Sequence, residues 1–241
     1  MTPSPFLLIG DISTIRGETH LAIPAKRFDR ALVTYLTKTE TSALLATPGQ
    51  ATRRGRRDHA LLQLAVQTGL RVSELTALRR ADVHLGAGPY VRCTGKGRKE
   101  RITPLTAATV AVLRAWLREQ PGDSASPLFP GPRGTPLTRS AVEHMITRHA
   151  RAASGRSPSL AAKHVSPHTL RHTAAMQLLH AGVDITVIAL WLGHESTETT
   201  QIYLHADMTL KEKALARTTP AGTKPGRYQP PGSLLAFLES L

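Results

Sequence analysis

Cysteine is almost absent from this chain, with Cys93 the single one in 241 residues. No intrachain disulfide can form, and no metal site can be built on paired thiolates. Long hydrophobic runs are missing too. The apolar start at residues 6–9 is too short for a secretory leader and lacks a basic flank, and no later run approaches membrane-spanning length. No internal repeat is visible. Acidic residues are scarce: 17 Asp and Glu stand against 31 Lys and Arg, a formal net charge of +14. That excess favours a polyanionic partner, because clustered cations gain affinity by displacing counterions from phosphates; a solvated basic surface is the plainer alternative. No membrane partner is expected. A reducing, nucleic-acid-containing compartment fits these absences, so the expected location is the cytoplasm.

What is present divides into three stretches. Residues 1–38 carry Pro3, Pro5, Gly10, Gly17 and Pro24 without sustained periodicity and read as an arm or linker. Residues 39–217 hold the periodic segments. Helices are expected from about Thr39, then over 57–68, 72–78, 106–119, 138–153, 167–181, 184–192 and 197–204, with another over 207–216. Strands are expected at 90–94 and 100–105, joined by a tight basic turn at 95–99. Cys93 falls in the first of these strands as a half-buried residue. Ser166 can cap free backbone donors ahead of Pro167 at a first helical position, and Asp184 can do the same for the next helix. Residues 218–232 are rich in Pro and Gly, and 234–238 form a short apolar patch. The fold class is therefore mostly α with a small antiparallel β-sheet.

Five segments carry chemistry: Thr68-Gly69-Leu70-Arg71-Val72-Ser73-Glu74-Leu75, Gly95-Lys96-Gly97-Arg98-Lys99, His168-Thr169-Leu170-Arg171-His172, Leu192-Gly193-His194, and Tyr203. Arg71 and Arg171 each offer a planar fork suited to phosphate oxygens. Lys96 sits between glycines on a hairpin tip and can reach into a site. His168 and Arg171 are three apart on a helix and so lie side by side, with His168 in the first turn, where free backbone donors favour an anion. Taken singly, each has a plainer reading. Arg71 fits a surface or capping role, the glycine-flanked lysine an ordinary charged turn, His194 a helix-end cation, and Tyr203 a half-buried aromatic. His168 and His172 are four apart, a spacing that can bind metal, but no Asp or Glu is placed to complete such a motif.

Together and in this order, the segments resemble the tyrosine recombinase or phage integrase family, particularly its Xer-like bacterial branch, over about residues 36–207. That family carries an Arg in a Thr-Gly-Leu-Arg turn, a Lys in a β-hairpin, His-x-x-Arg on a helix, a His in Leu-Gly-His, and a Tyr nine residues later. The matching positions here are Arg71, Lys96, His168, Arg171, His194 and Tyr203, with Glu74 at an acidic position that supports the first Arg. The resemblance implies the catalytic-domain fold of DNA breaking-rejoining enzymes. It implies double-stranded DNA as partner, self-assembly into a tetramer on paired sites, and no cofactor or metal. Tyr203 is the implied nucleophile, Arg71 and Arg171 hold the scissile phosphate, and His168 takes the phenol proton, alone or sharing that role with another group. His194 hydrogen-bonds the phosphate, and Lys96 protonates the departing 5′-oxygen. Arg98, Lys99 and Arg101, flanking the hairpin tip, are expected on the DNA backbone; for the cluster from Arg53 to Arg57, backbone contact and plain solvated charge stay equally open. Members normally carry a further N-terminal helical domain that closes a clamp around DNA, and residues 1–38 read as a linker rather than as that domain. Two other readings stay open: a type IB topoisomerase with the same chemistry, and a DNA-binding remnant without catalysis.

Overall fold

The computed structural model describes residues 33–95, 100–194 and 198–206. The described chain runs α1 (Lys38–Leu45), α2 (Arg53–Thr68), α3 (Val72–Ala77), β1 (Val83–His84), β2 (Tyr90–Thr94), β3 (Glu100–Pro104), α4 (Ala107–Arg118), α5 (Arg139–Ser154), α6 (Pro167–His180), α7 (Ile185–Leu192) and α8 (Glu198–Ala206). It is mostly helical with one small antiparallel sheet, as expected. No helix among the described residues is long and apolar enough to cross a membrane.

Local sequence explains most helix ends. Thr37 and Glu40 cap α1 reciprocally, with the Glu40 N–H donating to Thr37 Oγ1 at 3.2 Å and the Thr37 N–H to Glu40 Oε2 at 2.8 Å. Ser166 accepts from the Thr169 N–H ahead of Pro167, as the sequence predicts. Helix α2 begins four residues earlier than expected. Thr52 caps it through the Gly55 N–H at 3.0 Å, and its first turn is arginine-rich, so no apolar periodicity announces the start.

Helix α2 is the spine. Ala60, Leu61, Leu64, Ala65 and Thr68 are buried along it, and it packs against α4 and α6. Buried carboxylates tie the helices together, each compensated as a desolvated charge requires. Asp58 on α2 receives Arg57 and Arg148 at 2.8 Å and His149 at 3.3 Å, which fastens α5. Glu40 on α1 receives Lys163 at 2.7 Å and Ser159 at 2.6 Å.

The sheet has the order β1-β2-β3, with Val91 opposite Thr103 and Cys93 opposite Arg101. The two-residue strand β1 is too short to leave a pattern in the sequence and was not expected. Strand β3 inverts the usual alternation: Ile102 is 59% exposed, whereas Arg101 and Thr103 turn inward with Val91 and Cys93. The reason lies in the site that this face adjoins.

Two core clusters meet along α6. One includes Leu61, Leu64, Leu113, Ile146 and Leu170; the other comprises Ala175, Met176, Leu179, Ile188, Leu192 and Tyr203. Helix α6 is buried over most of its circumference, and this puts Arg171 between α2 and α7.

Candidate active site

Two helices end at the site with their carbonyls pointing into it. Helix α2 closes at Gly69 and α7 at Gly193, both left-handed with φ of 64°. A Cβ at Gly69 would lie 2.8 Å from Leu192 Cδ2 and 3.0 Å from Ala174 Cβ, and one at Gly193 would lie 2.8 Å from Arg101 Nη1. Only glycine satisfies both the backbone angle and the close approach.

The free carbonyls at these ends are taken by side chains of the site. Arg171 donates from Nη1 to the Gly69 carbonyl and from Nη2 to the Leu192 carbonyl, both at 2.7 Å. Arg71 donates from Nη2 to the Gly193 carbonyl at 3.1 Å, and Trp191 Nε1 donates to the Thr68 carbonyl at 3.1 Å. The negative end of each helix thus holds a guanidinium in place. Arg171 is 5% exposed, and the Arg71 side chain is more open at 35%.

Glu74 links this pair to the sheet. Its carboxylate accepts the Arg71 backbone N–H at 2.7 Å and Arg71 Nη1 at 3.1 Å. It also takes a bidentate grip from Arg101, Nη1 to Oε1 at 2.8 Å and Nη2 to Oε2 at 2.7 Å. Burial works to raise the Glu74 carboxyl, but the bonds from Arg101 and from the Arg71 backbone hold it below the usual carboxylate range. Arg101 was expected on the DNA backbone. Its side chain is instead 12% exposed and committed to Glu74, which is why β3 turns a charge inward and an isoleucine outward.

The remaining groups approach from α6, α7 and α8. Tyr203 is 1% exposed, and its hydroxyl lies 2.9 Å from His172 Nδ1. The two rings meet edge to face at 5.6 Å. Burial pushes the phenol above its usual range, with Arg171 opposing. His168 is exposed in the first turn of α6, its ring 6.4 Å from that of His172. His194 Nδ1 lies 2.7 Å from the Thr200 hydroxyl. Burial, then the charges of Arg171, Arg71 and Arg101, lower the His194 imidazole to about 4. Arg171 itself is lowered to about 10, by burial first and then by Arg71, and stays protonated at neutral pH. The field is that of a cationic site, in which mutual repulsion among the guanidinium groups is relieved by an anion.

Arg71, Arg171, His194 and Tyr203 therefore converge, with His168 at the rim. Lys96, Arg98 and Lys99 lie outside the described residues. Sequence reasoning missed His172 and Thr200 as partners of Tyr203 and His194. The sequence pattern presents His172 only as a metal-spaced companion of His168; the two do share a face of α6, with rings 6.4 Å apart, and one turn further along that face His172 meets Tyr203. Of the arginines before α2, Arg56 donates to Glu119 at 2.6 Å, and Arg57 is occupied by Asp58 and the Pro130 carbonyl. A cavity of about 710 Å³ opens near there, lined by Arg53, Arg54, Trp116 and Arg148, but none of the site residues borders it.

Comparison with known proteins adds a second line of observation. Residues 34–209 match the model of the phage integrase family. The protein y4rC of Sinorhizobium fredii, named as a candidate integrase/recombinase, is 56% identical over 221 residues, covering 92% of this chain and 67% of the relative. Tyrosine recombinase XerC of Pelobacter propionicus is 39% identical, covering 84% of this chain and 64% of the relative. Among solved structures, the XerH site-specific recombinase bound to its palindromic difH substrate, in a post-cleavage complex, aligns with a TM-score of 0.66 and 28% identity. That alignment covers 77% of this chain and 53% of that one. The chain spans about two thirds of the length of the curated relatives it matches.

Proposed function

The chain belongs to the phage integrase family, with a fold shared by tyrosine recombinase catalytic domains, and from that premise we propose that it cleaves and rejoins DNA at specific sites through a 3′-phosphotyrosyl intermediate. The observation that carries this reading is the convergence of two helix-anchored guanidinium groups, Arg71 and Arg171, with the phenol of Tyr203 in one cationic site.

A phosphodiester repels nucleophiles, gathers negative charge on its equatorial oxygens as it reacts, and has a poor leaving group. Arg71 and Arg171 answer the first two difficulties. Held in place before substrate arrives, they need no reorganisation as the charge develops. His194 supplies a further donor. In the tautomer whose Nδ1 accepts from the Thr200 hydroxyl, the neutral ring carries its proton on Nε2 and can give that hydrogen bond to a phosphate oxygen. Tyr203 attacks phosphorus, the P–O5′ bond breaks, and Lys96 delivers a proton to the departing oxygen. The ester conserves the bond energy, so a 5′-hydroxyl from a partner duplex reverses the step and strands exchange without ATP.

In this scheme Arg and Lys do the electrostatic work that divalent ions do in other phosphoryl-transfer sites. Among the described residues, no three His, Cys, Asp or Glu side chains gather into a metal-binding cluster. We expect cleavage to proceed undiminished in excess EDTA. The measurement is covalent capture on a pool of nicked suicide duplexes with randomised arms, from which the cut strand diffuses away and leaves the protein–DNA adduct trapped. Loss of adduct under chelation, restored by magnesium, would overturn the mechanism.

Recombination also needs protomers paired on DNA, and the assembly we propose is a tetramer on two sites. Residues 218–241 lie outside the described residues, so the proposal for this tail rests on sequence: a Pro- and Gly-rich connection leads to Leu234, Leu235, Phe237 and Leu238, too short a segment to form a helix alone in water. Docked on a neighbouring copy, each such side chain contributes on the order of 1.5–3 kcal/mol before ordering costs. Deleting residues 233–241 should leave the melting temperature of the domain unchanged and sharply reduce DNA-dependent multimers. Unchanged multimer formation on paired sites would rule this docking out.

A further inference from the structure

The proton of Tyr203 needs an acceptor as the phenol attacks, and the resemblance to the family points first to His168 for that work. The geometry differs. His168 is exposed at the rim, whereas the ring nitrogen at hydrogen-bond distance from the phenol belongs to the next histidine along the helix, His172, at 2.9 Å. We propose that His172 is a catalytic residue of this site, the group that holds the Tyr203 hydroxyl and accepts its proton as the phenol attacks phosphorus.

Burial, reach and charge state all lead there. Tyr203 is 1% exposed, so bulk water has no ready access to its hydroxyl, and the proton needs an acceptor within the protein. A general base must first be within hydrogen-bond reach of the proton it removes, about 2.6–3.2 Å between heavy atoms. His172 Nδ1 meets that condition, and the edge-to-face contact of the two rings fixes their relative orientation. Finally, His172 must be neutral to accept. It is half-buried, and burial, then the nearby His168 and Arg171, lower its pKa below the usual histidine range. Arg171, next in sequence, thus serves twice: it faces the phosphate and keeps its neighbour unprotonated.

The step balances. The phenol O–H donates to the Nδ1 lone pair of an imidazole that carries its own proton on Nε2. As the O–P bond forms and the P–O5′ bond breaks, the proton stays on Nδ1 and the ring becomes imidazolium. When a 5′-hydroxyl later attacks the phosphotyrosine, the departing phenolate recovers that proton. His168 is left with its place in the first turn of α6, where it faces an incoming anion rather than the phenol.

This inference rests on Tyr203 being the nucleophile, and the test separates the two claims. Single-turnover adduct formation by the full chain is followed on the same pool of nicked duplexes, for the parent, His172→Gln and His168→Gln. Glutamine can still accept a hydrogen bond from the phenol but cannot take its proton at neutral pH. Removing a general base costs ~10²–10⁴-fold in rate, so His172→Gln should be slower by about a hundredfold or more. Each chain is then made with 3,5-difluorotyrosine in place of Tyr203, a stronger acid that needs less help to ionise. The fluorinated residue should restore at least about tenfold of the rate lost in His172→Gln, and less in His168→Gln. A group that only packs against the ring would give no such recovery. If the glutamine variant fails to fold, as judged by its thermal melt, His172→Ala carries the same comparison. A rate for His172→Gln within about threefold of the parent, or equal recovery in the two histidine variants, overturns the assignment while leaving the nucleophile in place. No adduct from the parent chain would overturn both.

Discussion

Tyr203→Phe should abolish covalent capture of DNA while leaving non-covalent binding intact. The substitution deletes one oxygen, the atom that attacks phosphorus in the proposed mechanism. It leaves the ring where it packs with Ala175, Met176, Leu179, Ile188 and Leu192. The structural cost is one hydrogen bond, the 2.9 Å contact to His172 Nδ1. Such a loss is worth about 0.5–1.5 kcal/mol net, so the variant should fold and melt within a few degrees of the parent. Arg71 and Arg171 are untouched and continue to attract phosphate. The assay is denaturing gel electrophoresis of adduct on the nicked pool beside a mobility shift on intact duplex. An SDS-stable complex formed by the phenylalanine variant would show that another residue is the nucleophile.

Arg171→Lys has the second largest expected effect, although it conserves charge. Arg171 bridges two carbonyls from different helix ends, Gly69 and Leu192, at 2.7 Å each. A lysine ammonium is a single point of donation and cannot span both while still facing a phosphate. One buried carbonyl is left without its donor, a cost of about 1–3 kcal/mol, and the field at the scissile phosphate weakens. Loss of one preorganised donor in comparable sites costs ~10²–10³ in rate, and the displaced charge should take the fall to about a thousandfold or beyond. A contrast with Lys96→Ala identifies the cause. A substrate with sulfur at the 5′-bridging position has a leaving group that needs no proton. It should rescue Lys96→Ala strongly and Arg171→Lys weakly; equal rescue of both would remove Lys96 as the acid.

The parts of this site that sequence exposes are those carried by local patterns. Arg71 follows a glycine that ends a helix, Arg171 sits one turn from a Ser-Pro helix start, and His194 follows the glycine that ends α7. Each is placed by a rule acting over a few residues, so motif and geometry coincide. Arg101 is a different case. Alternation in β3 predicts Ile102 inward and its neighbours outward, and the opposite holds, because the bidentate grip on Glu74 outweighs the burial of one isoleucine. Glu74 lies 27 positions away in sequence, so no local rule could supply that competition. His172 was obscured for a related reason: only the return of α8 against α6 determines which of two neighbouring histidines meets the tyrosine. Helix α2 shows the same limit in reverse, since its arginine-rich first turn is specified by a threonine cap and hides from any search for apolar periodicity.

The anchoring of both guanidinium groups on helix-end carbonyls links activity to local opening of the native state. Leu192 and Gly193 close α7, and their carbonyls hold Arg171 and Arg71 respectively. The turn itself is kept by the His194 N–H on the Ala189 carbonyl at 2.9 Å. When that turn frays, both arginines lose an anchor in the same event, and His194 leaves its seat against Thr200. The fraction of molecules competent to cut at any instant is then bounded by the closing equilibrium of one eight-residue helix rather than by the global stability of the domain. Amide exchange at His194 reads that equilibrium directly, and in the proposed mechanism a DNA phosphate seated between the two arginines would act on it as a clasp.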